Sequence, residues 1–93
     1  MIHVLIERRI AEDMLSTYED ASKKIIQNAY FLRGFISAEN FANTDDIHHR
    51  FMICKWRSQK DWNCWYHSRE RMDLMNGIAP ILSEPEKILI LEN

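Results

Sequence analysis

The segment that most constrains the fold is a short run near the end of the chain that is apolar on both of its faces. Residues 88–91 read Ile-Leu-Ile-Leu, so the alternation of a strand places an aliphatic side chain on each side of a sheet. Residues 51–56, Phe-Met-Ile-Cys-Lys-Trp, are also apolar on both sides. An antiparallel sheet with one face in water alternates between apolar and polar residues. The pattern therefore predicts a sheet that is covered on both faces.

Strand and helix patterns follow one another in a recognisable order along the 93 residues. Residues 2–10 alternate as a strand, and a helical stripe runs from Glu12 to about Leu32. Residues 35–42 and 47–56 form a hairpin around a turn at 43–46. A second helix runs from Gln59 to about Met75, and residues 87–92 form the last strand. This order predicts a single α+β domain over residues 1–93, with the ferredoxin-like β-α-β-β-α-β arrangement of a four-stranded antiparallel sheet and two helices on one face.

Capping signals predict where the helices begin and end. Ser58 followed by Asp61 has the form of a capping box, which starts the second helix at Gln59. Gly34 suits the left-handed cap that ends the first helix. Asn76-Gly77 is expected to end the second helix, and an interruption near Ser68 is left open. On the first helix, the core-facing stripe is Leu15, Tyr18, Ser22, Ile25 or Ile26, and Ala29.

Two helices cover one face of the sheet, so a second apolar face needs another cover. A chain of 93 residues buries a modest share of its surface and gains little stability from its core alone. A second copy is the simplest cover. We therefore predict a two-fold homodimer, sheet against sheet, that buries more than about 1,000 Å².

Charge and hydropathy exclude several classes of partner. The net charge is -2 and the basic residues are scattered among acidic ones, so the basic stripe of a nucleic-acid-binding protein is missing. No apolar run approaches the roughly 20 residues that span a bilayer, and no signal-peptide pattern precedes the first strand. We expect a cytoplasmic protein without a membrane segment, in which Cys54 and Cys64 are free thiols.

Short motifs in order resemble the antibiotic biosynthesis monooxygenase (ABM) family over nearly the whole chain. They are Arg33-Gly34-Phe35 before the second strand, Trp56-Arg57-Ser58 at the end of the third, and Trp62 and Trp65 on the helix that follows. The resemblance implies a dimeric α+β barrel with a substrate pocket between sheet and helices. Several members oxidise aromatic or quinol-like molecules with O₂ without a bound metal or flavin, whereas others degrade haem or isomerise small molecules.

Glu7 is the candidate catalytic base, because direct electron transfer from a substrate to O₂ requires the substrate as an anion. Two interpretations of its position stay open. Strand alternation places Ile2, Val4 and Ile6 in the core and Glu7 toward solvent. The family resemblance instead points the face that carries Glu7 at the helices.

Trp65 is the second candidate catalytic residue. It would form a wall of the pocket, and its indole N–H would donate a hydrogen bond to a substrate or an oxygen species. The alternative is that Trp65 is a core residue whose N–H has a backbone partner. Arg9 is a candidate for holding a substrate carboxylate or phenolate, although an arginine near a strand end is usually a solvated charge. The remaining candidate substrate-binding residues are Phe51, Trp62, Met72 and Met75. For Trp62 and the two methionines, core packing is the favoured alternative.

Haem and metal sites are disfavoured by the sequence. The haem-degrading branch of the family has a histidine at the position of Met75 and an asparagine at the position of Glu7. The resemblance therefore does not imply haem binding, because haem would lack that axial ligand. His48 and His49 are adjacent on a strand and point to opposite faces, so they do not share one ion. We predict a cofactor-independent monooxygenase acting on an aromatic or quinol-like molecule. The alternative is a non-catalytic dimer that binds a small apolar ligand.

Overall fold

A four-stranded antiparallel sheet in the order β2-β3-β1-β4 forms one layer of the protein. The structure is a computed structural model and describes residues 1–93. The elements are β1 (Ile2–Arg9), α1 (Leu15–Ala29), β2 (Phe35–Asn43), β3 (Asp46–Trp56), α2 (Gln59–Tyr66), α3 (Arg69–Ile78), a 3₁₀ turn (Ala79–Ile81) and β4 (Lys87–Glu92). The predicted ferredoxin-like α+β arrangement is confirmed, with the second helix divided in two.

The alternation of β1 decides which face of the sheet holds the core. Ile2, Val4 and Ile6 are at most 4% exposed, and they lie opposite Trp56, Cys54 and Met52 of β3. These rows of apolar side chains pack under the helices. The core is therefore the one that strand alternation predicts.

Helix α1 buries the stripe expected from its spacing. Tyr18, Ser22, Ile25 and Ala29 are buried, three or four residues apart. The helix begins at Leu15 and not at Glu12, because Asp13 has a left-handed backbone with φ of 65° that cannot continue into a helix.

The corner between β3 and α2 is fixed by a cap and by a close approach of two chain segments. The Ser58 hydroxyl accepts a hydrogen bond from the Asp61 backbone N–H at 3.2 Å, which confirms the predicted helix start. Gly34 has φ of +84°, and its carbonyl accepts the backbone N–H of Arg57 at 2.7 Å. A Cβ atom at Gly34 would collide with the Asp61 side chain. Only glycine meets both the backbone angle and the available space.

The second predicted helix is two helices with a break at His67 and Ser68. The Ser68 hydroxyl caps α3 by accepting the Arg71 backbone N–H at 3.1 Å. The prediction that Asn76-Gly77 ends this helix is wrong, because α3 continues to Ile78. Ile78 is fully buried, and burying such a side chain contributes about 1.5–3 kcal/mol, more than the roughly 1 kcal/mol that glycine costs in a helix.

The other face of the sheet carries no helix and is rich in apolar side chains. Leu5, Phe41, Ile53, Leu89 and Leu91 project from the four strands on this face. All except Leu5 count among the exposed large hydrophobic residues of the chain, with Leu89 at 58%. The two-sided apolar pattern is thus present in the structure. We call this surface the open face of the sheet.

Candidate functional site

A cleft of about 460 Å³ opens beside Trp65, where α2 starts. Leu32, Trp56 and Trp65 form its apolar wall. The Ser58 cap and the Gly34 turn hold the start of α2 against the end of β3, so the cleft is built on fixed backbone. Its volume falls in the range of about 300–1,000 Å³ that is usual for small-molecule sites.

Trp65 is one of the residues that line this cleft. The side chain is 7% exposed, and its nitrogen makes no hydrogen bond within the chain. Every fully buried side-chain nitrogen and oxygen has a hydrogen-bond partner. Because the Trp65 nitrogen has none, it is at least slightly exposed to solvent. By contrast, Trp56 donates its indole N–H to Cys54 Sγ at 3.4 Å inside the core. Trp65 can therefore act as a wall and as a hydrogen-bond donor.

Charged side chains around the cleft have a positive excess. Arg33, Arg57 and Lys60 line it together with Asp61 and Glu70, which gives three cations against two carboxylates. Nearby cations favour the charged form of an acidic group. The cleft thus combines an apolar wall with a net charge of one positive unit among its lining side chains.

Glu7 lies on the open face of the sheet and not toward the helices. The expectation from the family resemblance is wrong on this point, because Ile6 and Arg8 occupy the helix-facing positions of β1 on either side of Glu7. Glu7 and Trp65 are on opposite sides of the sheet and cannot touch one substrate within a single chain. A catalytic role for Glu7 stays a prediction and would require a site on the open face.

On that face Glu7 is part of a short hydrogen-bonded chain. His49 Nε2 donates to the Glu7 carboxylate at 2.6 Å, and Asn43 Nδ2 lies 3.1 Å from His49 Nδ1. The hydrogen bond from His49 lowers the pKa of Glu7, with smaller help from the charges of His49, Lys87 and Arg9 against the opposing effect of burial. Glu7 and His49 therefore form a hydrogen-bonded pair beside the apolar surface.

The other predicted site residues are divided between the two sides of the sheet. Phe51 is on the open face, with its ring 4.5 Å from that of His49. Arg9 pairs with Glu84 at 3.2 Å, and both side chains are close to half exposed. Trp62 is in the core, edge-on to Trp56 at 5.8 Å. Met72 is 53% exposed on α3, and Met75 packs against the core. The structure does not bring these residues together into one pocket.

A buried ionic cluster under α3 was missed by sequence reasoning. Arg8 is 3% exposed on the helix-facing side of β1, and its Nε donates to Glu86 at 2.9 Å. Its Nη1 donates to the Tyr18 hydroxyl at 3.2 Å. The other oxygen of Glu86 accepts from Arg71 Nη2 at 2.6 Å. A single carboxylate therefore bridges two guanidinium groups, which is a strong and specific arrangement in a protein interior.

The pKa values of this cluster follow from its charges. Burial favours the neutral form of each group, but the neighbouring Tyr18 and Glu86 raise the pKa of Arg8. In the same way, burial opposes ionisation of Glu86, whereas Arg8 and Arg71 lower its pKa.

One signal in the sequence could have found the cluster. Arg8 is the arginine within the apolar series of Ile2, Val4, Ile6 and Ile10, so the strand period alone places it inside.

Fold and site define a class of protein: a small α+β domain of the ferredoxin-like type with a preformed cleft for a small molecule. The family model described as antibiotic biosynthesis monooxygenase matches residues 1–76. The chain belongs to this family, as the motifs around Gly34, Trp56 and Trp65 predict.

Several solved structures have the same fold. A protein from Nitrosomonas europaea described as a "putative antibiotic biosynthesis monooxygenase" superposes with a TM-score of 0.91 at 13% identity, covering 99% of this chain and 88% of the other. A conserved protein from Methanosarcina mazei Go1 gives 0.91 at 13% identity, covering 99% and 91%. An antibiotic biosynthesis monooxygenase gives 0.89 at 11% identity, covering 100% and 98%. At these identities the likeness shows the fold alone. No curated protein matches the sequence.

Membership of the family supports a monooxygenase or small-molecule-binding role. No group of three or more histidine, cysteine or acidic side chains that could hold a metal ion is formed. None of the helices has the length and hydropathy to cross a bilayer. Cys54 and Cys64 are both free thiols, the first buried and the second exposed.

Proposed function

We propose that the protein is a small oxygenase that acts on an aromatic or quinol-like molecule in the cleft beside Trp65, without a tightly held cofactor. One observation supports this proposal: Trp65, whose indole N–H has no partner within the chain, lines a cleft of ligand size together with three cations and two carboxylates. Membership of the family supports the reaction class, and the size of the cleft supports it as the place for the substrate.

The proposed chemistry follows from what O₂ requires of an organic electron donor. A phenol or hydroquinone reacts as its anion, and Arg33, Arg57 and Lys60 favour that anion by lowering the pKa of the bound hydroxyl. The substrate supplies the electrons. In this proposal the indole N–H of Trp65 donates to negative charge that develops on oxygen. The apolar wall excludes water from the reacting atoms.

We also propose that the protein works as a homodimer joined through the open face of the sheet. Leu89 and Leu91 of β4 and Ile53 of β3 are exposed on this face, and a second copy would cover them. Glu7 and His49 would then lie within or beside the interface. A contact of this kind is self-complementary, as a two-fold axis requires.

A second candidate is a non-catalytic module that binds the same kind of ligand. It is favoured by the position of Glu7, which leaves the predicted base on the opposite side of the sheet from Trp65. In that case the cleft binds an aromatic anion and releases it unchanged.

Oxygen uptake with a panel of substituted hydroquinones separates the two candidates. We expect the wild-type protein to consume O₂ with at least one of them, and Trp65→Phe to reduce the rate at least tenfold by removing the N–H donor. Tyr66→Phe is the matched control, because the neighbouring Tyr66 does not line the cleft. We expect Glu7→Gln to keep the activity of the wild type, whereas its loss would move the site to the open face. Saturable binding without oxygen consumption would establish the binding module, and the absence of both would reject the cleft.

A further inference from the structure

Aromatic rings follow one another from the wall of the Trp65 cleft to the surface of the protein. Trp56 lines the cleft. Its ring lies edge-on to that of Trp62, with the centroids 5.8 Å apart, and the ring of Trp62 lies 5.7 Å from that of Tyr66. Both separations are those of packed aromatic pairs. The series therefore runs without a gap from the cleft to the exposed side chain of Tyr66.

This series follows from the sequence around the corner between β3 and α2. Trp62 and Tyr66 are four residues apart, so α2 places them on the same side, one turn apart. Trp56 is the last residue of β3, and the Ser58 cap holds the start of α2 close to it. Trp56 and Trp62 are 1% and 2% exposed, whereas Tyr66 is 39% exposed. The two inner rings are thus shielded from water, and the outer ring reaches it.

Tryptophan and tyrosine are the aromatic side chains that lose one electron most readily, whereas phenylalanine is much harder to oxidise. An oxidised ring takes an electron from the nearest oxidisable ring, because electron tunnelling weakens exponentially with distance. An oxidised tyrosine that reaches water releases its hydroxyl proton and becomes a neutral radical. At neutral pH this radical has a lower energy than an oxidised tryptophan. Oxidation that starts at Trp56 therefore moves outward to Tyr66.

A second aromatic series leaves Trp56 in the other direction and differs in its middle ring. Phe35 lies 5.4 Å from Trp56, and Tyr30 lies 5.4 Å from Phe35. Tyr30 is 62% exposed, so each of the two exposed tyrosines is separated from Trp56 by one ring. That ring is a phenylalanine on the way to Tyr30 and a tryptophan on the way to Tyr66. Only the series through Trp62 consists entirely of oxidisable side chains.

We propose that Trp56, Trp62 and Tyr66 form an electron-transfer relay that carries oxidising equivalents from the cleft to solvent. A one-electron oxidant in the cleft, such as an oxygen-centred radical, takes an electron from Trp56 and is reduced. Trp56 recovers an electron from Trp62, and Trp62 recovers one from Tyr66, whose hydroxyl proton goes to water. A soluble thiol then returns a hydrogen atom to Tyr66 and is itself oxidised. The relay takes no part in substrate oxidation, and its test uses light instead of the proposed oxygenase activity.

Time-resolved absorption after an ultraviolet flash tests the relay. Trp65→Phe leaves the two relay indoles as the only tryptophans of the chain. Light at the long-wavelength edge of tryptophan absorption ejects an electron from these indoles, and hexaamminecobalt(III) in the buffer captures that electron. We expect the absorption of the tryptophan radical to decay while that of a tyrosine radical appears. The rate should not depend on protein concentration, because the transfer takes place within the molecule.

Variants of the two exposed tyrosines in this background give the matched comparison. Tyr66→Phe should lower the yield of the tyrosine radical at least fivefold, whereas Tyr30→Phe should leave it unchanged. Trp62→Phe should slow its formation at least tenfold, because it puts a phenylalanine in the middle of both series. If circular dichroism shows a tryptophan variant to be unfolded, the two tyrosine variants of the wild-type chain decide alone. The absence of a tyrosine radical, equal losses in Tyr30→Phe and Tyr66→Phe, or a rate proportional to protein concentration would overturn the proposal.

Discussion

The carboxylate of Glu7 and the imidazole of His49 meet at 2.6 Å on the open face of the sheet, and this pair makes the stability of the protein depend on pH. The hydrogen bond from His49 holds the pKa of Glu7 below its ordinary value of 4.5 in the folded state. In the unfolded chain the carboxyl has its ordinary pKa. The unfolded state therefore binds the proton first as the pH falls.

The stability that this carboxylate contributes is fully present above about pH 5 and is lost as the pH falls through its lowered pKa. We expect the midpoint of thermal unfolding to fall more steeply between about pH 5 and pH 3 for the wild type than for Glu7→Gln. His49→Gln should flatten the profile in the same way. Circular dichroism at a series of pH values measures both. Parallel profiles for the wild type and Glu7→Gln would contradict this interpretation.

Removal of Glu86 should destabilise the fold strongly. Glu86→Leu leaves Arg8 buried without its carboxylate, and a stranded buried charge costs about 3–5 kcal/mol. The free energy of unfolding, measured in urea, should fall by about this amount. Glu84→Leu is the control from the same segment, because Glu84 pairs with Arg9 in solvent, and such pairs are worth about 0–1 kcal/mol. Equal losses in the two variants would mean that the buried cluster adds nothing specific.

The two glycines should respond oppositely to alanine. Gly34→Ala places a Cβ against the Asp61 side chain and forces a left-handed backbone on alanine, so we expect a loss of about 2 kcal/mol or more. Gly77 lies in α3, and a Cβ added there would meet no atom within 4 Å. Gly77→Ala should therefore stabilise the protein by about 0.5–1 kcal/mol. Thermal unfolding of the two variants tests the pair, and destabilisation by Gly77→Ala would show that the turn after α3 needs the glycine.

If the open face is the dimer interface, a charged side chain placed on it should separate the dimer into single copies. Leu89→Lys places a charge on the apolar surface, on the edge strand β4, where Leu89 is 58% exposed. We expect sedimentation at micromolar concentration to change from a dimer to a single copy. Met72→Lys is the control, because Met72 is similarly exposed but lies on α3, away from this face. A wild-type protein that sediments as a single copy would refute the proposed dimer.

Strand alternation predicted the core correctly, and the family resemblance led away from it. Ile2, Val4 and Ile6 face the helices as their period requires, which puts Glu7 on the opposite side and Arg8 inside. The family resemblance predicted that Glu7 faces the helices, which is equivalent to a shift of one residue along β1. Such a shift exchanges the two sides of a strand. Local pattern was the better guide here, because it depends on the residues of this chain.

Local pattern could not find the partner of Arg8. Glu86 is 78 positions away in sequence, in the segment between the 3₁₀ turn and β4. Nothing around Glu86 marks it as buried, and only the pairing of β1 with β4 brings it under α3. The division of the second helix at Ser68 was predictable in kind, since serine is a good cap. The extension of α3 through Gly77 was not, because it depends on the burial of Ile78.

All three tryptophans of the chain belong to one packed cluster, in which Trp56 and Trp62 are in edge contact and Trp65 is buried. Their ultraviolet emission therefore reports on the half of the molecule where β3 meets α2. It does not report directly on the ionic cluster of Arg8 and Glu86. Loosening of that end would reach the indoles only through Tyr66, which lies between Arg71 and Trp62, so an optical melting curve followed at the indoles weights that end less than the tryptophan cluster.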